Sequence, residues 1–190
     1  GPFIVTDGQF HFTDITAKAG VSLQDLAHFN SITPEGAQAV DIDQDGYVDL
    51  YVGGHLFINN GDLTFTDVSA SKGLRNPDGT YLYDEGAKFL DWNNDGRLDL
   101  VIMDAYPKGP RLFQFNGTSW NTGKFIEMTS LFPAGLIYNS SYGLNVYDLD
   151  NDGGEDIVIM GGVNFQPRIF MNTNSPTGFV LASSRALTGL

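Results

Sequence analysis

The sequence predicts an all-β fold made of about three propeller blades, each an antiparallel sheet of four strands. The apolar runs are short, rich in Val, Ile, Phe and Tyr, and separated by Gly, Asn, Asp and Pro, as is typical of strands and turns. Helical periodicity never lasts beyond two turns. An aspartate-rich segment also recurs, beginning at Asp41, Asp91 and Asp148, and repetition of a four-stranded unit at such spacings is typical of propellers. A β-sandwich would need no such repetition.

Each repeat contains the same pieces in the same order. These are a glycine, the aspartate-rich loop, an apolar run, a segment centred on phenylalanine, and an aromatic strand with a tail of small residues. We therefore place the blades at about 36–74, 86–136 and 143–184, within one domain that spans residues 1–190. A further copy of the last piece predicts an extra strand at about 10–16, ahead of the first blade.

The aspartate-rich loops occupy residues 41–49, 91–99 and 148–156 and share the spacing D-x-[DN]-x-D-G-x-x-D. Side chains at the first, third and fifth positions can converge on one point if the backbone turns tightly, which the glycine at the sixth position permits. The seventh residue can add its backbone carbonyl, and the ninth adds a carboxylate. About six or seven hard oxygens suit Ca²⁺ better than Mg²⁺, which prefers a small octahedron and keeps its waters. Zinc would need Cys or His nearby.

Two other interpretations of the loops are less consistent with the sequence. An EF-hand needs Glu at the twelfth position and a helix on each side, whereas Val52, Ile102 and Ile159 occupy that position within strand-like runs. Ordinary Asp/Gly turns would not require three matched copies. Carboxylates held close together without a cation would also repel one another.

The loops and their flanks resemble FG-GAP or VCBS repeats, the calcium-binding blades of integrin-α-type propellers. The resemblance rests on Gly36-Ala37 and Gly86-Ala87 before the loops and on Asp-Leu-x-Val after them. The pieces from Phe12 to Val21 and from Phe65 to Leu74 are similar to a subgroup found in ASPIC/UnbV-type extracellular proteins. The resemblance implies a β-propeller with one Ca²⁺ between the first two strands of each blade, three ions in all.

The resemblance also implies the ligands, which are four side chains and one backbone carbonyl in each loop. They are Asp41, Asp43, Asp45 and Asp49 with the Tyr47 carbonyl; Asp91, Asn93, Asp95 and Asp99 with the Arg97 carbonyl; and Asp148, Asp150, Asp152 and Asp156 with the Gly154 carbonyl. Asn93 removes one charge, so we expect the second loop to bind Ca²⁺ more weakly. The third loop departs from the pattern at Gly154-Glu155, where a bulkier or apolar pair is usual.

The formal charge of −13 comes mainly from these loops, which contain 12 of the 23 acidic residues, namely 11 aspartates and Glu155. Phosphate binding needs clustered Lys and Arg, so we expect no nucleic-acid partner. No apolar run reaches the length of about 18 residues that suggests a membrane span, so we expect no membrane insertion. Calcium sites of this kind suit millimolar Ca²⁺, which predicts a location outside the cell, at its surface or in a periplasm. Sequons at Asn116 and Asn139 indicate the same location weakly.

Three blades are fewer than the roughly four to eight of closed propellers, so we expect a fragment of a larger propeller or a self-assembling unit. The sequence thus predicts a non-catalytic, calcium-stabilised extracellular module for protein–protein interaction, adhesion or assembly. Common catalytic motifs are missing, and His55 stands where the other repeats have Arg, which indicates a structural role. An accessory domain of an extracellular enzyme is one alternative. Another is a lectin-like module that stacks glycans on Tyr81, Tyr83, Tyr138 and Tyr142.

Overall fold

The structure is a computed structural model that describes residues 12–21, 37–82, 85–104, 109–134, 143–160 and 167–182. These residues form three antiparallel sheets of four strands each, and within each sheet every strand lies beside its sequence neighbours. The prediction of an all-β fold built from four-stranded, blade-like sheets is therefore confirmed. The described residues form no closed ring of blades.

The three sheets, named blades 1 to 3, follow the three predicted repeats. Blade 1 contains β1 (Ala37–Val40), β2 (Asp49–Val52), β3 (His55–Asn59) and β4 (Phe65–Asp67). Blade 2 contains β5 (Ala87–Leu90), β6 (Asp99–Asp104), β7 (Gly109–Asn116) and β8 (Lys124–Glu127). Blade 3 contains β9 (Gly143–Tyr147), β10 (Asp156–Met160), β11 (Arg168–Asn172) and β12 (Phe179–Leu181).

Helical structure in the described residues is limited to two single turns, α1 (Thr16–Ala19) and a 3₁₀ turn at Thr129–Leu131. No described helix has the length and apolar character needed to span a bilayer. Residues 12–15, the described part of the expected extra strand that precedes α1, form no strand. A strand needs a hydrogen-bonded neighbour, and no described strand pairs with this segment.

Two hydrophobic cores lie between the blades, and blade 2 contributes to both of them. Successive side chains of β6 point to opposite faces of the sheet. Leu100 and Ile102 belong to the core shared with blade 1, whereas Val101 and Met103 belong to the core shared with blade 3. All four side chains are at most 1% exposed. Burial on both faces explains why this strand reads as a continuous apolar run instead of alternating.

The two outer blades each have one face that no described blade covers. Leu90 and Met103 of blade 2 are buried in the core shared with blade 3. The residues at the same repeat positions in blade 3, Tyr147 and Met160, are 59% and 49% exposed. On the far side of blade 1, Ala37 is exposed as well. Blade-packing surfaces are therefore present at both ends of the described row.

The tail of blade 1 crosses to the outer strand of blade 2. The Phe125 N–H donates a hydrogen bond to the Lys72 carbonyl at 2.8 Å. Gly73 follows with a φ of 80°, and a Cβ at this position would lie 2.6 Å from the Phe125 carbonyl oxygen. The Lys72 ammonium donates to the Trp120 and Gly123 carbonyls. The crossing therefore requires both the left-handed conformation and the missing side chain of glycine.

Candidate metal centres

The three aspartate-rich loops connect the first and second strands of the blades, and we call them loop 1 (41–49), loop 2 (91–99) and loop 3 (148–156). The residue before each loop pairs with the ninth residue of the loop. These pairs are Val40 with Asp49, Leu90 with Asp99, and Tyr147 with Asp156. The loops therefore lie at equivalent ends of the three sheets, as the repeat predicts.

The first aspartate of each loop holds the turn together. The Asp41 carboxylate accepts hydrogen bonds from the Asp45 N–H at 3.0 Å and from the Gly46 N–H at 2.9 Å. Asp91 and Asp148 accept the same two bonds in loops 2 and 3. The fold thus fixes the direction of this carboxylate through the backbone that surrounds it.

The ninth aspartate ties each loop to the third strand of its blade. Asp49, Asp99 and Asp156 have no solvent exposure. Asp99 accepts hydrogen bonds from the Trp92 N–H at 3.3 Å and from the Phe115 N–H at 2.7 Å. Asp49 and Asp156 accept equivalent pairs of bonds in the other blades. Each buried carboxylate is therefore held from two sides.

Loops 1 and 3 each bring three of the predicted side-chain ligands together. In loop 1, oxygens of Asp41, Asp43 and Asp49 lie within 4.8 Å of one another, and in loop 3 the same holds for Asp148, Asp150 and Asp156. Loop 2 has Asn93 at its third position, and the Asn93 carboxamide donates to the Asp95 carboxylate at 3.1 Å.

The fifth aspartates, Asp45 and Asp152, lie outside these two groups of three. They and Asp95 accept the N–H of the seventh residue of the loop, at 2.8 to 3.0 Å. These N–H groups belong to Tyr47, Arg97 and Gly154, whose carbonyls remain predicted ligands.

Burial raises the pKa of several loop carboxylates. It raises the pKa of Asp99 to about 7, with a further contribution from the charges of Asp95 and Asp91. Burial likewise raises the pKa of Asp49 and Asp156. A carboxylate whose ionised form is disfavoured gains most from a nearby cation. The negative charge of the loop carboxylates and a donor set made only of oxygens both fit a hard divalent cation such as Ca²⁺.

The fourth residue of each loop has a left-handed backbone, a feature that the spacing of the aspartates does not predict. The φ angles are 63° at Gln44, 55° at Asn94 and 59° at Asn151. Asparagine adopts this conformation more readily than most residues. The two asparagines at this position were therefore the signal that could have revealed the turn.

Hydrogen bonds also connect one loop to the next across the blade boundary. The Gln44 side chain of loop 1 donates to the Gly96 carbonyl of loop 2 at 3.2 Å. The Glu155 carboxylate of loop 3 accepts the Asp91 N–H of loop 2 at 2.7 Å. The sequence gives no direct signal for either contact, because each joins residues more than 50 positions apart.

The clefts between neighbouring blades differ in what fills them. Between blades 1 and 2, the Trp120 ring stacks on Phe115 with centroids 5.4 Å apart and lies 4.0 Å from the Lys72 ammonium. The cavity that remains there measures about 100 Å³. Between blades 2 and 3, the corresponding hairpin carries Pro176, and a cavity of about 650 Å³ lies open.

The walls of the larger cavity combine apolar and amide side chains. The apolar residues are Trp92, Met128, Leu131 and Pro176, and the amides are Asn93, Asn94, Gln114 and Asn174. Asp152 and Ser175 complete the lining, which contains no Lys or Arg. The lining therefore suits a ligand that has no negative charge and has both polar and apolar surface.

Tyr81, one of the four tyrosines proposed for glycan stacking, is covered on its ring. The Arg75 guanidinium lies 3.0 Å from the ring centroid, and the His55 ring centroid lies 3.5 Å away. The Tyr81 hydroxyl donates to the Asp67 carboxylate at 3.1 Å. The expectation that Tyr81 stacks on a sugar is wrong, because its neighbours already occupy its faces. The other three tyrosines and the Asn139 sequon lie outside the described residues, whereas Asn116 is exposed at the end of β7.

The His55 ring pairs with a carboxylate, and an arginine–carboxylate pair occupies the same place in the next blade. The His55 Nδ1 lies 2.9 Å from the Asp67 carboxylate on the neighbouring strand. In blade 2, Arg111 makes two hydrogen bonds of 2.9 Å to the Glu127 carboxylate. Burial raises the pKa of Asp67, but hydrogen bonds from His55 and Ser69 outweigh it and hold the pKa below its usual range. The pair links the third and fourth strands, as a structural role for His55 requires.

Comparisons with known proteins agree with the repeat seen in the structure. The FG-GAP-like repeat family matches residues 41–102 and 91–159. None of the curated proteins matches the chain. A lectin from Agrocybe aegerita, solved to explain its recognition of non-reducing terminal N-acetylglucosamine, is 21% identical with a TM-score of 0.44. That similarity covers 76% of this chain but 36% of the lectin, so the chain spans about a third of its length. The two family matches extend over more than half of the chain, which therefore belongs to the FG-GAP-like repeat family.

Proposed function

We propose that the protein is a non-catalytic, calcium-stabilised module that acts outside the cell in protein–protein interaction or assembly. The observation that carries this proposal is the repetition of one oxygen-lined loop at the same place in three blades. Each loop holds a fully buried aspartate at its ninth position. The three carboxylates that converge in loop 1 or loop 3 are costly to keep together unless a cation balances them.

Calcium binding would convert into stability because the unfolded chain has no preformed site. Each ion would join the first two strands of a blade and, through the ninth aspartate, the third strand. Extracellular calcium is in the millimolar range that suits weak sites of this kind, which supports a location outside the cell.

The test is thermal unfolding in calcium and in chelator. A site filled at a hundredfold excess over its Kd adds about 2.7 kcal/mol, so three sites would raise the melting temperature by roughly 15 °C or more. Magnesium at the same concentration is the control cation and should have a much smaller effect. An identical melting temperature in calcium and in chelator would refute the proposal.

Binding of a neutral saccharide is a second candidate function, and the cavity between blades 2 and 3 favours it. An apolar wall beside four amides can contact the C–H face of a sugar ring and bond its hydroxyls. The equivalent cleft between blades 1 and 2 has no such room because Trp120 fills it.

Calorimetric titration with glucose, galactose, mannose and N-acetylglucosamine tests this second candidate. The Ser175→Tyr variant would place a ring in the open cleft, as Trp120 does in the other, and should abolish the heat of binding. Ser71→Tyr, at an exposed serine outside the cavity, is the matched control and should bind as the parent does. Absence of heat with all four sugars would exclude this candidate.

A further inference from the structure

Glu155 has no counterpart in the other two loops. It occupies the eighth position of loop 3, where loop 1 has Val48 and loop 2 has Leu98. From this position its carboxylate crosses the blade boundary and accepts the Asp91 N–H at 2.7 Å. Glu155, which departs from the repeat in blade 3, thus makes its contact with blade 2.

Asp91 is the first residue of loop 2, and its conformation determines where its carboxylate points. Both of its side-chain oxygens are already bonded, one to the Asp95 N–H at 2.9 Å and the other to the Gly96 N–H at 2.7 Å. The bond from its own N–H to Glu155 adds a third point of attachment, on the backbone. Asp91 is therefore held from its own loop and from blade 3.

The Glu155 carboxylate lies beside loop 2, the loop that has one carboxylate fewer at its ligand positions than the other two. Loops 1 and 3 each contain four aspartates at ligand positions, whereas loop 2 contains three and Asn93. A carboxylate bonded to the Asp91 N–H places negative charge at the start of loop 2, and negative charge near a cation site attracts a divalent ion. Glu155 thus adds a carboxylate beside the loop in which Asn93 replaces one.

We infer that Glu155 is a positioning residue of the loop 2 cation site, supplied by the neighbouring blade. It orients Asp91 and restores the fourth negative charge of the site. Cation affinity in loop 2 then depends on the docking of blade 3, and loop 2 need not be the weak site that its own sequence predicts. This inference rests on the proposed calcium binding.

Trp92 allows cation binding at loop 2 to be measured separately from binding at the other two loops. It is the second residue of loop 2, whereas loops 1 and 3 have Ile42 and Leu149 there, and the chain contains only one other tryptophan, Trp120. In a Trp120→Phe background, tryptophan-sensitised luminescence of bound Tb³⁺ reports mainly on loop 2. Displacement of Tb³⁺ by Ca²⁺ then gives the calcium affinity of that loop.

In this background, Glu155→Gln should weaken binding at loop 2 by about tenfold, as expected for the loss of one nearby charge. The amide oxygen of Gln can still accept the Asp91 N–H, so the variant isolates the charge. Adding Asn93→Asp should restore the affinity, which a purely structural role would not predict. Asp62→Asn, a fully exposed site with the same change in net charge, is the control and should leave the affinity unchanged.

The outcomes separate this inference from the proposal on which it rests. Unchanged loop 2 affinity in Glu155→Gln, or equal weakening in Asp62→Asn, would overturn the role of Glu155 while leaving calcium binding intact. Failure of Asn93→Asp to restore affinity would overturn the charge compensation. If the parent protein shows neither Tb³⁺ luminescence nor calcium heat, calcium binding fails and the role of Glu155 fails with it.

Discussion

Among single residues, the buried ninth aspartates connect the fold most directly to the proposed cation sites. Asp99 satisfies two backbone N–H groups, Trp92 in its own loop and Phe115 on β7. Loss of this carboxylate would leave both buried donors without their acceptor, at a cost of about 1–3 kcal/mol each. Its burial also makes its protonation state part of the stability of the chain.

In chelator, we expect the free energy of unfolding to fall as the pH rises from about 4 to about 7. The pKa of Asp99 is about 7 in the folded protein against an ordinary value of 3.8, so the folded state binds this proton more tightly. The stabilisation is complete below the ordinary pKa and is lost as the pH rises through 7. Asp67, whose pKa is lowered, acts in the opposite sense and only at more acidic pH.

Urea denaturation at several pH values measures this dependence. The Asp99→Asn variant should lose the part of the slope that Asp99 contributes, while Asp49 and Asp156 keep the rest. Saturating calcium should suppress the slope in the parent because the ion holds the carboxylates ionised. Parallel pH profiles of parent and variant in chelator would contradict the assignment to Asp99.

Among the elements, the crossing from blade 1 to blade 2 depends on backbone conformation more than on side chains. Gly73 has a φ of 80° and approaches the Phe125 carbonyl, and Lys72 on its N-terminal side is buried under Trp120. Both the crossing and the outer strand β8 therefore depend on one glycine.

We expect Gly73→Ala to destabilise the protein by about 2–4 kcal/mol, because it adds a steric contact to the cost of a left-handed alanine. Gly79→Ala is the matched control, since Gly79 has a φ of 85° and open space around its Cβ position. The control should lose only about 1–2 kcal/mol. Guanidinium denaturation compares the two variants, and equal losses would show that the contact with Phe125 has no energetic role.

The elements also show what the sequence can and cannot predict. Strand composition and the repeat were sufficient for the twelve strands and for the placement of the loops, because both are local patterns. Of the extra strand predicted at about 10–16, the described residues 12–15 form no strand, because their sequence matches β4 but strand pairing depends on a neighbour. The contact of Glu155 with Asp91 and the stacking of Trp120 on Phe115 depend on how blades dock, which no local pattern encodes.

For the whole molecule, the exposed end faces have the greatest consequence. Met160 is 49% exposed, while Met103 at the same repeat position is 1% exposed because blade 3 covers it. The exposed face of blade 3 is therefore of the kind that another blade covers. The exposed face of blade 1 in a second copy of the chain can cover it. Such a pairing is heterologous and can either close a ring or extend a row.

We expect the chain to self-associate in calcium, with a sedimentation coefficient that rises with protein concentration. Met160→Asp should shift the equilibrium to monomer by placing a charge in the contact. Ile126→Asp is the control, because Ile126 is 46% exposed but lies on the outer strand β8. A monomer at all concentrations, or dissociation by both variants, would contradict association through the end faces.

The sharing of β6 between two cores has a consequence for local motion. A sheet covered on both sides can open only after one of its neighbours has moved away, whereas each outer sheet can open by itself. Amide hydrogen exchange should therefore be slowest in the middle sheet, around Leu100 to Met103, and should quicken toward both ends of the row.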